Sequence, residues 1–178
     1  MANEIKAKQN GSVALFGNDL QKGFENMTQE DMALPFIRIL GQLSPQVTDG
    51  DSKFIDGAKP GMIYNTVTND LFDGKKGIKV IPCYYKKDYP EWSDRGDGPG
   101  APVATHSPGS PVIQTGKRDG SKIRLPNGNY LEETAYYYVM VEKKQGGYSP
   151  ALITMKSTQL SVSKKWNSMM KSVQIDDG

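Results

Sequence analysis

The chain has 178 residues, 37% of them hydrophobic, and carries a net charge of +2 from 22 basic and 20 acidic side chains. That length fits one domain with a modest core, and without a run of about 18 apolar residues no membrane partner is expected. One cysteine, Cys83, excludes an internal disulfide, and Met1 to Lys6 lacks the apolar core of a secretory signal, so a cytoplasmic location is expected.

Residues 1–27 are polar with weak patterning and read as a flexible N-terminal arm. A helix start is plausible at Thr28, with Glu30 and Asp31 in its first turn. After Pro35 the run Phe36 to Leu40 reads as an edge strand. Ala58 to Gly61 is a turn, followed by a β-rich run Met62–Val67 and a short return at Leu71–Phe72. Ile78 to Lys87 is the longest apolar strand candidate. Strict alternation puts Ile78, Val80 and Tyr84 on one face and Lys79, Ile81, Cys83 and Tyr85 on the other, with Pro82 marking an edge or a bulge. Residues 93–120 are dense in proline and glycine and read as a long, mobile loop. Pro126 to Asn129 reverses the chain. Two strong strands follow, Thr134–Glu142 and Tyr148–Lys156, joined by a turn at Gly146–Gly147. A basic helix closes the chain from Ser157 or Thr158. Leu160, Val162, Trp166, Met169, Met170 and Val173 form its apolar stripe, while Lys164, Lys165 and Lys171 fall mostly outside it. Nineteen glycines and eleven prolines fit a mainly β fold with long loops.

The small net charge hides an asymmetry. Residues 1–60 hold 6 Lys/Arg and 8 Asp/Glu, whereas residues 61–173 hold 16 and 10. A basic body with an acidic tip at Asp176 and Asp177 suits a polyanion binder. Aromatic residues occur within the basic part. Tyr84, Tyr85, Tyr89 and Trp92 surround Lys86 and Lys87, and Tyr136, Tyr137 and Tyr138 stand in one strand. Rings beside cations on a sheet are what a single-stranded nucleic acid needs, because every base has a face to stack. Strand parity must divide the triplet. Tyr137 shares a side with Val139 and Val141 and is expected in the core, which leaves Tyr136 and Tyr138 for stacking.

Nothing in the sequence assembles an enzyme site. The glycines at 96, 98 and 100 lack the Gly-Lys-Ser/Thr ending of a phosphate loop. His106 is the one histidine, too few with Cys83 for an ordinary zinc site. Glu132 and Glu133 are neighbours on a strand and point opposite ways, so they are no acid–base pair. No cofactor or metal is expected.

Three segments carry a family resemblance. Pro150-Ala-Leu-Ile-Thr-Met-Lys-Ser-Thr-Gln159 forms a strand-to-helix corner, followed by a basic helix with Trp166. Leu34-Pro-Phe36 with Leu43-Ser-Pro45, and Val80-Ile-Pro82 with Tyr84 or Tyr85 and Trp92, complete the set. Over about residues 33–170 the chain resembles a family of small bacteriophage proteins. The resemblance implies a replication-type single-stranded DNA-binding protein with an oligonucleotide-binding (OB) β-barrel. On that basis residues 28–173 are expected to form an OB-like domain that binds single-stranded DNA without strong sequence preference, in phage replication or recombination within the host cytoplasm. Lys79, Lys86, Lys87, Lys122, Arg124, Lys156 and Lys164 are the expected phosphate contacts, and Tyr84, Tyr85, Trp92, Tyr136 and Tyr138 the expected stacking rings. Phage proteins of this kind often end in a long acidic tail that recruits replication partners. Here residues 174–178 carry two acids only, which fits a minimal tail or a shortened one. A homodimer is compatible with the helix stripe. The competing expectation is a phage structural or host-takeover factor whose tyrosines form a protein interface.

Overall fold

The structure, a computed structural model, describes residues 33–94 and 101–173. The expected N-terminal arm, the Thr28 helix start, the glycine string and the acidic tip lie outside the described residues. In chain order the elements are β1 (Phe36–Ile39), β2 (Ile63–Asn65), β3 (Leu71–Phe72), β4 (Val80–Trp92), β5 (Ala104–His106), the short helix α1 (Val112–Thr115), β6 (Lys117–Asp119), β7 (Lys122–Arg124), β8 (Tyr130–Glu132), β9 (Thr134–Glu142), β10 (Tyr148–Lys156) and helix α2 (Leu160–Ser172). The strands follow the order β3-β2-β1-β10-β9-β4-β8-β7-β6, with β5 alongside β4. Every pairing is antiparallel except β1 with β10. The two ends of this order, β3 and β6, are not paired with each other among the described residues. The fold is thus mainly β with one open sheet and a C-terminal helix, and the expected barrel closure is not seen.

The long strand β4 organises the sheet. Its first part pairs with β9 and its last part with β5 and β8. From Tyr84 onward the register does not slip: Tyr84 lies opposite Tyr138, Asp88 opposite Thr134, and Trp92 opposite Tyr130. Before Tyr84 there is a bulge. Pro82 lies opposite Val139, and Cys83 is the extra residue. Pro82 has no N–H to give to the ladder, so the irregularity falls where the ladder is weakest. The bulge corrects the alternation expected from sequence. Tyr84 joins Ile81 rather than Val80, and Tyr85 takes the face of Val80.

Parity then decides what is buried. On one face of the sheet lie Ala135, Tyr137, Val139 and Val141 of β9, Ala151 of β10 and Ile37 of β1, forming the main core. Helix α2 covers this face with Leu160, Trp166 and Met170. Tyr137 is fully buried, as expected, and its ring packs 4.4 Å from that of Trp166. Its hydroxyl lies 3.1 Å from the Ser163 carbonyl oxygen and 2.8 Å from Asn167 Oδ1, both acceptors, and 2.7 Å from Ser163 Oγ. Burial pushes the phenol pKa up, so it stays protonated and able to donate. The chain reaches this helix through a corner at Ser157, whose φ of 52° is rare for a residue with a side chain. A second, smaller core of Ile123, Leu125 and Leu131 lies under β7 and β8.

The stretch expected as one long loop is partly structured. Strand β5 pairs with β4, and Val112 and Ile113 of α1 pack on the smaller core. Gly116 permits that approach, since a Cβ there would fall 2.4 Å from Ile123 Cγ2.

Tyr137→Ala should lower unfolding free energy by about 3–5 kcal/mol, the range for large buried aromatic truncations. Tyr137→Phe should cost about 1–3 kcal/mol, because the buried Ser163 and the half-buried Asn167 lose their partner. Urea denaturation of the two variants checks both values. A native-like midpoint for Tyr137→Ala would mean that α2 is not fastened through this ring.

Candidate nucleic-acid interface

With one face of the central sheet under α2, the residues of opposite parity point the other way. Cross-strand pairing puts Tyr84 beside Tyr138 and Lys86 beside Tyr136. It also puts Thr154 beside Tyr136, and Phe36 beside Leu152. Tyr84 is 62% exposed and Tyr138 36%, with ring centroids 5.7 Å apart. The Lys86 ammonium lies 5.4 Å from the Tyr136 ring, and the Arg38 guanidinium 5.3 Å from the Phe36 ring. Four rings and two cations thus share one side of four adjacent strands.

The unbroken β4 register carries the same side into the other half of the sheet. Trp92 lies opposite Tyr130, and Tyr130 opposite Arg124. The Lys122 ammonium lies 3.7 Å from the Tyr130 ring and the Arg124 guanidinium 5.6 Å from it. Between the halves, Lys156 stands 5.9 Å from the Trp92 ring.

Several of these cations have carboxylate partners. Lys86 pairs with Asp88 at 2.7 Å, and Lys156 with Glu132 at 2.7 Å. Arg124 pairs with Asp94 at 3.1 Å and Asp119 at 3.4 Å. The Lys86 pKa is raised chiefly by its hydrogen bond to Asp88, so the ammonium stays charged. Tyr136 is raised by burial and next by the nearby Asp88 charge.

Of the residues singled out in the sequence, Tyr84, Lys86, Tyr136, Tyr138, Lys156, Trp92, Lys122 and Arg124 fall on this side. The other four do not join them. Tyr85 and Lys87 sit on the opposite face, where Tyr85 packs 5.1 Å from Tyr137 and Lys87 pairs with Glu133 at 3.2 Å. Partial burial of Lys87 is outweighed by Glu133, which raises its pKa. Lys79, the residue before β4, has the parity of Ile81 and pairs with Glu142 at 3.5 Å, so it lies on the Tyr138 side at the end of the ladder, away from the rings. Lys164 is exposed on α2. Phe36, Arg38 and Tyr130 were missed. Strand parity could have found Tyr130, two residues before Glu132, but the parallel contact that brings Phe36 and Arg38 alongside β10 has no local signal in sequence.

The family model described as Pam3 phage gp34-like protein matches residues 7–178. The chain belongs to that phage family. Comparison with curated proteins and with solved structures gives no match. No helix among the described residues of this phage protein is long and apolar enough to cross a membrane. Nor do the described residues hold a cluster of three or more His, Cys, Asp and Glu side chains suited to a metal ion.

His106 has a structural partner in this phage protein. Its Nε2 lies 2.7 Å from Glu91 Oε2. Glu91 is buried and also accepts hydrogen bonds from Asn129 at 2.6 Å and Asn127 at 3.2 Å. It thereby ties β5 and the turn before β8 to β4. These donors, Asn129 first and His106 next, hold its pKa below the ordinary carboxylate value. A lowered folded-state pKa gives stability that is present above the unfolded-state pKa and lost as pH falls through the folded value. Denaturation midpoints measured from pH 7 down to about pH 3 should therefore fall more steeply for the native protein than for Glu91→Gln. Parallel curves would remove Glu91 from the acid limb.

Proposed function

We propose that this phage protein binds single-stranded DNA, without strong sequence preference, across the face of its sheet opposite α2. The observation that carries the reading is the set of Tyr84, Tyr138, Tyr136 and Phe36 rings on one side of four adjacent strands, with Lys86 and Arg38 among them. Bases stack on such rings for about 1–3 kcal/mol each, and the cations take the phosphates. Strand spacing of about 4.8 Å places rings at intervals a stretched single strand can follow. Duplex DNA would have to unstack first, so it binds more weakly.

The finer fold reading, an OB-like barrel, belongs to the same proposal, since OB folds bind oligonucleotides across a sheet face and its flanking loops. The setting is phage DNA replication or recombination in the host cytoplasm, with replication proteins as partners of the acidic tip. The reading assigns the protein no catalysis. A homodimer would use the α2 side, where Val162 and Met169 are exposed. The rival reading, a phage structural or host-takeover factor acting through a protein interface, predicts no linear loss of affinity with log salt.

The test is resolved by face. Tyr138→Ala and Tyr84→Ala should each weaken binding to a dT oligomer about 5- to 100-fold, the stacking range, with small changes in thermal stability. Lys164→Ala, on the helix side, should leave affinity within about twofold, the scale of one solvated charge. Equal losses from both sides, or loss from Lys164→Ala alone, would move the binding surface to α2.

A further inference from the structure

Strand β1 follows β10 for two residue pairs, Phe36 with Leu152 and Ile37 with Ile153. A groove of about 620 Å³ lies against the two strands, and its lining includes Arg38 of β1 and Thr154 and Lys156 of β10. Trp92, Glu132 and Tyr136 also line it. The volume is that of a small-molecule site, about 300–1,000 Å³. Its walls offer aromatic rings, two cations and a hydroxyl.

Two features of this groove point to a ligand. The indole Nε1–H of Trp92 is buried and finds no acceptor among the described residues. Buried donors nearly always have one, and an exception calls for an explanation. The second feature is Glu132. It is 8% exposed and sets a carboxylate into a wall of aliphatic and aromatic side chains, beside Lys156. There its Oε2 accepts a hydrogen bond from Lys156 Nζ at 2.7 Å, so that its one ion-pair partner among the described residues is the ammonium over the Trp92 ring.

We propose that this groove is a single-nucleotide subsite of the DNA surface, in which a phosphate takes Lys156 from Glu132 and the base lies against Trp92. The inference rests on the single-stranded DNA reading above and adds a deeper site to its row of exposed rings. Glu132 acts as a stand-in anion. It holds Lys156 in the orientation a phosphate needs and gives it up when the strand arrives. When the lysine leaves, a base carbonyl can approach the indole N–H and supply the missing acceptor.

The exchange has a thermodynamic signature. A lysine that neutralises a phosphate normally releases a bound cation, and the salt slope counts that release. Here the freed Glu132 carboxylate attracts a cation of its own, so Lys156 adds little to the slope of the native protein. Glu132→Gln removes the stand-in. It should tighten binding to a dT oligomer at least threefold and steepen the slope of log affinity against log salt by roughly 0.7, the value of one phosphate contact on single strands. Trp92→Phe keeps a ring and removes the N–H, and should weaken binding about 2- to 10-fold, the worth of one hydrogen bond. Anisotropy titrations of a labelled dT oligomer across a salt series read all of these, with thermal midpoints checking that each variant is folded. If native protein binds and Tyr138→Ala weakens it, but Glu132→Gln and Trp92→Phe match native in affinity and slope, the subsite is overturned and the surface reading stands. If native protein does not bind the oligomer, the surface reading fails first. Should Glu132→Gln not fold, Trp92→Phe decides alone: native affinity in that variant overturns the subsite.

Discussion

The buried contact of Tyr137 with helix α2 settles which side of the sheet is inside. Its ring stacks on Trp166, and its hydroxyl meets Ser163 and Asn167 one helical turn apart. A helix fastened there covers the parity of Ala135, Tyr137, Val139 and Val141. Side chains in strands alternate, so Tyr136 and Tyr138 are sent to the other side in the same step. Through the register of β4 the same parity brings out Tyr84 and Lys86, and further along Trp92 beside Tyr130. One buried hydroxyl and one ring stack thus determine the composition of a surface that runs through both halves of the sheet.

That surface combines rings with cations already paired to carboxylates. Lys86 with Asp88, Lys156 with Glu132, and Arg124 with Asp94 and Asp119 are partly exposed ion pairs, and such pairs add little to stability. Their more evident effect is on position. Each holds a long, flexible side chain near an aromatic ring, so less freedom remains to be lost when a ligand takes the cation. In the proposed role, a face built this way trades raw affinity for order. The Glu91 cluster plays a complementary part on the other side of β4. It locks β5 and the turn at 126–129 in place, and so fixes the strand end that carries Trp92.

Much of this was legible in the sequence, and the gaps have physical causes. The two long strands, their Gly146–Gly147 turn and the splitting of the tyrosine triplet follow from local pattern, since alternation and positive-φ glycines act over a few residues. Glu132 and Glu133 do point apart, as expected, toward Lys156 and Lys87. The faces of Tyr84 and Tyr85 were assigned the wrong way round because Cys83 adds a residue to β4, and a single extra residue reverses everything beyond it. Phe36 and Arg38 were invisible as surface residues, since their neighbours on β10 are more than a hundred positions away in the chain. The folding of β5 and α1 within a Pro/Gly-rich stretch was hidden for a related reason: their partners, β4 and the small core under β7 and β8, are supplied by tertiary contact.

The central claim is that the sheet face opposite α2 is a single-stranded DNA surface. Its most direct measurement is the affinity of the native protein for a dT oligomer, followed by fluorescence over a range of salt concentrations. The account predicts micromolar or tighter binding at low salt, a linear fall of log affinity with log salt, and weaker binding to a duplex of equal length. No binding at low salt, or an affinity indifferent to salt, would contradict it.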